Sequence, residues 1–272
     1  MRLDGVEVGA GRPLTVISGP CMAESLELCM AVGRAMKARC EELGLSYVFK
    51  ASFDKANRSS IHTPRGPGLE KGLEMLAAAR AELGVPVTTD IHEPGQAEAV
   101  AGVVDLLQIP AFLCRQTDLL VAAAGTGKAV NAKKGQFMSP GEMVNVVTKL
   151  KESGAGEDKI LLTERGTFFG YHRLVNDIAG FADLMELGVP VCFDATHSTQ
   201  QPGGQGQASG GRPERAATLA KAAVAAGADA VFIEAHPEPS AAMSDGSSML
   251  TVEAAVALLG VLKRVREAVA GD

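Results

Sequence analysis

Seven basic side chains stand at or just after the ends of short β-rich runs in this sequence. They are Lys50, Lys55, Arg58, Arg115, Lys133, Lys134 and Arg165. Cations gathered at one end of a fold repel one another unless anions offset them, and phosphate and carboxylate groups are suitable partners. Some of these cations could instead pair internally with Glu164, Asp54 or Asp90. A merely solvated surface would place them on outer helix faces, as expected for Lys149 and Lys151, so we predict that the set binds substrate anions.

Four further residues offer ligands for a metal ion, although they lie far apart along the chain. They are Cys21, His197, Glu234 and Asp245. Thiolate, imidazole and carboxylate groups together suit Zn²⁺, Fe²⁺ or Mn²⁺. Taken singly, each has an ordinary interpretation as a buried thiol, a hydrogen-bonded histidine or an ion-paired acid. A metal site is therefore predicted only if the fold brings the beginning and the end of the chain together.

Eight β-rich runs precede these residues, and a helical pattern follows each of them. The runs cover residues 14–18, 47–52, 86–91, 106–111, 129–134, 160–165, 190–195 and 230–235. Most show no apolar–polar alternation, which is typical of parallel strands buried on both faces. The intervening segments repeat apolar residues at helical spacing, as at Met30, Gly33, Met36 and Cys40, and several end in glycine.

Strict alternation of strand and helix, eight times without a linker, favours a closed barrel over an open doubly wound sheet. An open sheet concentrates its chemistry at one switch point, whereas polar residues here follow nearly every predicted strand. We therefore predict an α/β fold, a single (β/α)8 TIM barrel over residues 1–272, with a short N-terminal hairpin at 1–13 that could close its floor. Barrel closure also makes the ends of strands 7, 8 and 1 neighbours. The long loops 166–177 and 198–212 are expected to contact substrate, unless they are simply disordered.

Composition and charge exclude several classes of partner. The net charge is −6, which gives no support to binding of nucleic acid or of an anionic membrane surface. No apolar run approaches the roughly 20 residues that span a bilayer, and the first residues lack the features of a signal peptide. Five cysteines, an odd number without a CxxC pair, indicate reduced thiols. We expect a cytoplasmic protein. No pattern for a hydrolase triad or a nucleotide cofactor is present.

At the strand ends the sequence closely resembles the 3-deoxy-D-manno-octulosonate 8-phosphate synthases, also called 2-dehydro-3-deoxyphosphooctonate aldolases. The matching stretches include ISGPCMAES, FKASFDKANRSSIHTPRGPGLE, TDIHEP, QIPAFLCRQTDLL, NAKKGQF, LTERGTFFGY, FDATHS, EAHPEP and SDG. They follow one another in the family's order between residues 17 and 246. KANRSS is the most specific, because the related heptulosonate and sialate synthases share the barrel without it.

The resemblance implies a reaction and its binding residues. Phosphoenolpyruvate, D-arabinose 5-phosphate and water would give the eight-carbon phosphosugar acid and inorganic phosphate, a step in lipopolysaccharide (KDO) biosynthesis. C3 of phosphoenolpyruvate would attack the aldehyde, water would add at C2, and phosphate would leave by C–O cleavage. By the family pattern, Lys55, Lys133 and Arg165 hold phosphoenolpyruvate, with Gln108 and Lys50 nearby. Asn57, Arg58 and Ser59 bind the sugar phosphate.

The resemblance also implies an assembly and a cofactor. Arg58 and Ser59 would reach the sugar phosphate from a neighbouring subunit of a homotetramer, and Arg115 would lie near the subunit boundary. Family members with Cys after the first GP require a divalent metal, and this chain reads GPC. Cys21, His197, Glu234 and Asp245 would then be the ligands, with His197 or Asp245 assisting proton transfer. THSTQQPGG and FGYHRLVND depart from the common THSVQLPGG and FGYNNLVVD, which puts only the loop dynamics in doubt.

Three rival interpretations stay open at this point. A related synthase could use another acceptor, such as erythrose 4-phosphate. A Schiff-base aldolase could use Lys133 or Lys50 as its nucleophile. The protein could also be a regulator that binds phosphosugars on a barrel scaffold without catalysing a reaction. The many polar residues at strand ends do not favour that interpretation.

Overall fold

Eight parallel strands form the centre of the molecule, and one α-helix follows each strand. A computed structural model describes residues 1–58, 60–202 and 210–270. The strands are β1 (Thr15–Gly19), β2 (Ser46–Lys50), β3 (Val87–Asp90), β4 (Leu106–Ile109), β5 (Ala129–Lys133), β6 (Ile160–Glu164), β7 (Val191–Asp194) and β8 (Ala230–His236). The helices are α1 (Leu26–Leu43), α2 (Leu69–Leu83), α3 (Ala97–Ala101), α4 (Thr117–Gly125), α5 (Val144–Glu152), α6 (Ile178–Met185), α7 (Ala216–Ala225) and α8 (Val252–Val269).

The sheet closes on itself. Each strand pairs with its neighbours in sequence, and β8 pairs in parallel with β1, so that Glu234 lies opposite Gly19. β8 also pairs with β7, from Cys192 opposite Ala230 to Asp194 opposite Phe232. Every predicted run overlaps one of the eight strands, and the predicted (β/α)8 barrel is confirmed. The C-terminal ends of β7, β8 and β1 are adjacent, as the metal-site prediction required.

The helices pack their apolar stripes against the outside of the barrel. Helix α1 begins after Ser25, whose Oγ accepts a hydrogen bond from the backbone N–H of Leu28, and ends at Gly44 in the left-handed region. Met30, Met36 and Cys40 are buried on its inner face. Gly33 permits a close approach, because a Cβ there would lie 2.7 Å from the Leu83 side chain of α2.

The N-terminal hairpin closes the floor of the barrel. Arg2–Leu3 pairs with Val6–Glu7, and the following Val8 is 3% exposed. Val8 belongs to a separate apolar cluster formed by side chains from the strands, including Ile17 of β1 and Phe232 of β8. The expectation that the first residues plug one end of the barrel is therefore met by direct packing.

Two aspartates connect neighbouring strands at the N-terminal end of the barrel. Asp105, just before β4, accepts a hydrogen bond at 3.0 Å from the backbone N–H of Val87 in β3. Asp229, just before β8, accepts one at 2.9 Å from Val191 in β7. Burial raises the pKa of Asp229. Each carboxylate satisfies a strand N–H that would otherwise be buried without a partner.

The two long loops contain short strand pairs that the sequence did not predict. Thr167–Phe168 pairs with Leu174–Val175 after β6, and Gln200–Gln201 pairs with Gly210–Gly211 after β7. Residues 203–209 of the predicted loop 198–212 lie outside the described part of the chain. A further short strand, Leu250–Thr251, pairs with β8. No described helix is long and apolar enough to cross a membrane.

Candidate active site

A cavity of about 650 Å³ opens at the C-terminal ends of the strands. Its walls contain ten of the residues singled out from the sequence: Lys50, Lys55, Asn57, Arg58, Gln108, Lys133, Arg165, His197, Glu234 and Asp245. Cys21 lies behind this wall and is 1% exposed. Strand closure accounts for the convergence, since these residues, together with Cys21, lie at or after the C-terminal ends of seven of the eight strands.

Three of the four predicted metal ligands lie close together. One ligand atom from each of Cys21, Glu234 and Asp245 lies within 4.8 Å of the other two, and the Cys21 thiol donates a hydrogen bond of 3.2 Å to Asp245 Oδ2. Glu234 Oε2 is buried and accepts no hydrogen bond from the described residues. A carboxylate oxygen left without a donor in the interior is costly unless a cation completes its environment. This donor set therefore fits a divalent metal.

His197 lies beside the cluster of Cys21, Glu234 and Asp245, and Asp194 fixes the orientation of its ring. Its Nε2 is 3.5 Å from Glu234 Oε2, while its Nδ1 is 2.7 Å from Asp194 Oδ2. Asp194 Oδ1 also accepts a hydrogen bond from the His197 backbone. A carboxylate behind a histidine in this way fixes the ring so that the other nitrogen faces a metal. Cys21, Glu234 and Asp245 thus form the cluster, and His197 adjoins it through Glu234.

Titration of the cluster is governed by burial. Burial, reinforced by the charge of Glu234, raises the pKa of the Cys21 thiol. Burial opposes ionisation of Asp245 as well, but His197 and Lys55 outweigh it and lower the pKa of this carboxyl. The cluster therefore holds a protonated thiol beside ionised carboxylates, and a metal that binds there has to displace the thiol proton.

Two buried lysines carry positive charge to the cavity floor. Lys133 Nζ donates to Asp194 Oδ2 at 2.7 Å and lies 3.7 Å from the centre of the Phe232 ring. Lys50 Nζ forms an ion pair with Glu234 and donates to the Cys21 carbonyl at 2.9 Å. Each of these buried amino groups therefore has a carboxylate partner, and Lys133 also lies over a ring face.

Arg165 has an unused hydrogen-bonding group. Its side chain is buried, and one terminal nitrogen donates to Gln200 Oε1 at 2.7 Å. The other terminal nitrogen, NH1, is buried without a partner among the described residues. Burial lowers the pKa of this guanidinium, against the opposing charge of Asp194. A buried guanidinium with a free donor is suited to binding an anion.

Lys55 lines the same cavity and is linked through Ser52 to the carboxylate of Asp90. Its Nζ donates to Ser52 Oγ at 3.0 Å, and Ser52 donates to Asp90. Burial would lower the pKa of Lys55, but Cys21, Glu234 and Asp90 outweigh this effect and raise it. Asp90 also accepts a hydrogen bond from the Gln108 amide. Lys55 is therefore a cation that faces the same space as Lys133 and Arg165.

The comparisons with known proteins agree with this geometry. A family model described as the DAHP synthetase I family matches residues 2–270. The chain belongs to the DAHP synthetase I family. Proteins named 2-dehydro-3-deoxyphosphooctonate aldolase are 51% identical in Azoarcus sp., over 99% of this chain and 96% of that protein, and 52% identical in Cyanothece sp., over 97% and 96%. One from Synechococcus sp. is 53% identical over 98% of this chain and 93% of that protein. The family recognised from the motifs is confirmed.

Not every predicted residue of this DAHP synthetase I family member reaches the cavity. Lys134, one of the seven cations, does not line the cavity: it is 1% exposed and donates to the carbonyls of Gly135 and Met138 and to Thr167. It also pairs with Glu164, the internal alternative that the sequence left open. Arg115 is exposed and does not line the cavity of its own chain. Ser59 lies outside the described residues.

Arg58 corrects one implication of the resemblance. Its guanidinium donates at 3.0 Å to Ser244 Oγ and at 2.9 Å to the Met243 carbonyl, both in the loop after β8 of the same chain. Arg58 therefore lines the cavity of its own subunit. The resemblance implied that Arg58 reaches the sugar phosphate from a neighbouring subunit. In this structure it lies at the cavity of its own chain, because the segment between β2 and α2 folds back over its own barrel.

Sequence reasoning missed three polar residues of this family member's site: Ser52, Asn131 and Gln200. Ser52 and Asn131 stand two positions from Lys50 and Lys133, so the two-residue period of a strand places them on the same face as those lysines. That signal was available in the sequence. Gln200 links Arg165 to Asp245 through its amide, donating to Asp245 at 2.9 Å. Only the folded loop brings that link about.

Proposed function

We propose that this protein is a 3-deoxy-8-phosphooctulonate synthase, which condenses phosphoenolpyruvate with D-arabinose 5-phosphate and water to give 3-deoxy-D-manno-octulosonate 8-phosphate and inorganic phosphate, in lipopolysaccharide biosynthesis. The observation that carries the proposal is the convergence of Lys55, Lys133 and Arg165, from three different strand ends, on one cavity beside a metal-binding cluster. The names of the relatives support the same reaction. The chain would act as one barrel domain over residues 1–272.

Phosphoenolpyruvate would lie on the cavity floor. Lys55, Lys133 and Arg165 would hold its phosphate and carboxylate, with Lys50 and Gln108 nearby. The free NH1 group of Arg165 supports this placement, because a bound anion would satisfy it. Because Asp194, Ser52 and Gln200 already hold Lys133, Lys55 and Arg165, little reorganisation is needed when substrate binds.

The sugar phosphate would lie nearer the mouth of the cavity. Asn57 and Arg58 line that region, and Ser59 would join them. Arg115, which is exposed on its own chain, would belong to a subunit boundary in a homotetramer. The protein would act in the cytoplasm on small phosphorylated substrates, without nucleic acid or membrane partners.

Cys21, His197, Glu234 and Asp245 would hold the divalent metal, such as Zn²⁺, Fe²⁺ or Mn²⁺. When bound, a metal of this kind supplies Lewis-acid polarisation of an oxygen atom. Asp194 keeps the His197 ring in place, and Lys50 balances the charge of Glu234. No nucleotide cofactor takes part in the proposed reaction.

The chemistry follows from these positions. The π electrons of phosphoenolpyruvate form a bond from C3 to the aldehyde carbon, and the aldehyde oxygen takes a proton. Water adds at C2 and loses a proton to Asp245 or His197, which balances the proton that the aldehyde oxygen takes. The new C2 hydroxyl then becomes the keto group as the C–O bond to phosphate breaks, and the leaving phosphate takes the hydroxyl proton. The cations compensate for the repulsion between the two phosphate groups, which are held close together.

A direct assay tests the proposal. With phosphoenolpyruvate and arabinose 5-phosphate we expect phosphate release in a one-to-one ratio with the eight-carbon acid, identified by mass spectrometry. Phosphoenolpyruvate with ¹⁸O in the bridging position should yield ¹⁸O-labelled phosphate, since the C–O bond breaks. Equal or faster turnover with erythrose 4-phosphate would assign a different acceptor, and borohydride trapping of a substrate adduct would indicate a Schiff base instead.

A further inference from the structure

Five side chains form an unbroken hydrogen-bonded chain across the inside of the barrel. Thr163 Oγ1 donates to Asn131 Oδ1 at 2.7 Å, and Asn131 Nδ2 donates to Gln108 Oε1 at 3.1 Å. Gln108 Nε2 donates to Asp90 Oδ1, and Ser52 donates to the other oxygen of Asp90. These residues lie on β6, β5, β4 and β3 and just after β2. All of them are buried, and Thr163, Asn131 and Ser52 are fully so.

The direction of every bond in this chain follows from the charge on Asp90. Burial would raise the pKa of Asp90, but Lys50, Lys55 and Lys133 outweigh it and hold this pKa well below its usual range. An ionised carboxylate only accepts hydrogen bonds, so Gln108 has to present its NH₂ group to Asp90. The oxygen of Gln108 then faces β5.

Asn131 is the residue that receives this oxygen. Because Gln108 Oε1 needs a donor, Asn131 turns its NH₂ group toward it and directs its own oxygen to the hydroxyl of Thr163. The Gln108 NH₂ group has two hydrogens, and Asp90 takes one of them. Because Gln108 lines the substrate cavity, its second hydrogen is available to a group that binds there.

We propose that Asn131 is a positioning residue that holds the Gln108 amide with its NH₂ group toward the cavity, so that Gln108 donates to the anionic groups of phosphoenolpyruvate. The inference rests on the proposed placement of phosphoenolpyruvate beside Gln108. An inverted or freely rotating amide would bring an oxygen toward a substrate anion and toward Asp90, and both contacts are unfavourable. Asp90 would repel a substrate anion directly. By orienting the Gln108 NH₂ group toward the cavity, however, it provides a donor for that anion.

A double-mutant cycle tests this assignment. The dissociation constant of phosphoenolpyruvate is measured by calorimetry, without aldose, for the metal-loaded wild type, Asn131→Leu, Gln108→Leu and the double variant. Asn131→Leu should weaken binding about tenfold in the wild type, as expected for one hydrogen bond to a charged group. In the Gln108→Leu background the same substitution should change it by less than about twofold, because Asn131 acts only through Gln108.

Controls separate this role from a general effect on the barrel. Thr88→Val removes another buried hydroxyl of β3, which bonds to the Leu106 carbonyl and is not part of the chain. It should leave the dissociation constant unchanged within about twofold. In steady-state assays Asn131→Leu should raise the KM for phosphoenolpyruvate and not that for arabinose 5-phosphate. If Asn131→Leu does not fold, Asn131→Asp keeps the shape and should weaken binding more in the wild type than in the Gln108→Leu background.

The outcomes distinguish the two proposals. A wild-type protein that does not bind phosphoenolpyruvate contradicts the proposed function itself. Normal binding by Gln108→Leu removes Gln108 from the substrate site and overturns this inference, while the function stands. Equal losses from the Asn131 substitution in both backgrounds, or no loss in either, overturn the positioning role alone.

Discussion

Asp194 shows how one residue connects the two halves of the site. Its Oδ2 atom contacts both Lys133 Nζ and His197 Nδ1, each at 2.7 Å. Lys133 belongs to the proposed phosphoenolpyruvate site, and His197 belongs to the proposed metal site. The position of one substrate cation and the orientation of one metal ligand therefore depend on the same buried carboxylate.

Metal binding should depend on pH through Cys21. Burial raises the pKa of this thiol, so the metal-free protein holds it protonated near neutral pH. Binding has to release that proton, and the apparent affinity should increase by up to about tenfold for each pH unit as pH rises toward the thiol pKa. Titration with Co²⁺, followed through cobalt–thiolate absorption at several pH values, measures this.

The matched variant for that titration is Cys21→Asn. It should show no thiolate absorption. A cobalt affinity that does not change with pH in the wild type would contradict a protonated ligand thiol.

The activity of the wild type should be lost with chelator and recovered with Mn²⁺, Zn²⁺ or Fe²⁺.

Arg165 should contribute strongly to catalysis, because one of its terminal nitrogens is buried with no partner in the described part of the chain. Arg165→Met is expected to lower kcat/KM for phosphoenolpyruvate by ~10²–10³-fold, as for other preorganised charges. Lys151→Met is the control: this lysine pairs with Glu157 at the surface and should have no effect. A loss below about tenfold for Arg165→Met would place the anion elsewhere.

At the scale of elements, the first two strands approach each other closely where the site begins. A Cβ on Gly19, at the end of β1, would lie 1.9 Å from the carbonyl oxygen of Lys50 at the end of β2. That distance is far inside van der Waals contact, so the strands meet there only if residue 19 is glycine. The position of Lys50, and hence of its ion pair with Glu234, depends on this contact.

Gly19→Ala should therefore lower both stability and substrate affinity. The added methyl group must displace the Lys50 backbone, and we expect a stability loss of about 1–3 kcal/mol, as for overpacked interiors. Thermal unfolding and phosphoenolpyruvate calorimetry measure the two effects. Gly125→Ala at the end of α4 is the control, since a Cβ there meets nothing within 4 Å. Equal behaviour of the two variants would contradict the close approach.

The floor of the barrel should affect stability without affecting chemistry. Asp105→Ala leaves the Val87 N–H without its acceptor and removes the Arg80 ion pair, so the free energy of unfolding should fall by about 1–3 kcal/mol. Asp4 also pairs with Arg80 but is exposed, and Asp4→Ala should cost at most about 1 kcal/mol. Denaturant unfolding gives both values. A changed KM for phosphoenolpyruvate in Asp105→Ala would show that the two ends of the barrel are coupled.

At the scale of the whole molecule, the site exists only in the closed barrel, so substrate binding should stabilise the entire fold. Phosphoenolpyruvate at 100 times its dissociation constant should add about 2.7 kcal/mol to the free energy of unfolding. Pyruvate, which lacks the phosphate, should stabilise less at the same concentration. At the same phosphoenolpyruvate concentration, Arg165→Met should lose most of this stabilisation. Similar stabilisation by both ligands would indicate that the cations do not bind phosphate.

The sequence alone determined the strand and helix order, the closed barrel, and most of the cavity wall. Those features are local: strand ends carry Lys50, Lys133, Arg165 and His197 wherever the strands lie, and alternation with helices leaves few ways to arrange them. The family motifs then supplied roles that spacing could not.

Tertiary structure decided which side chains face the cavity and which partners they use. Lys133 is the last residue of β5 and Lys134 follows it. Because successive residues along a strand point in opposite directions, only Lys133 of the two lines the cavity. The direction of the Gln108 amide depends on Asp90, Asn131 and Thr163, which are distant in sequence. Hydrogen-bond direction is a property of all the partners together, so no single stretch of the chain contains it.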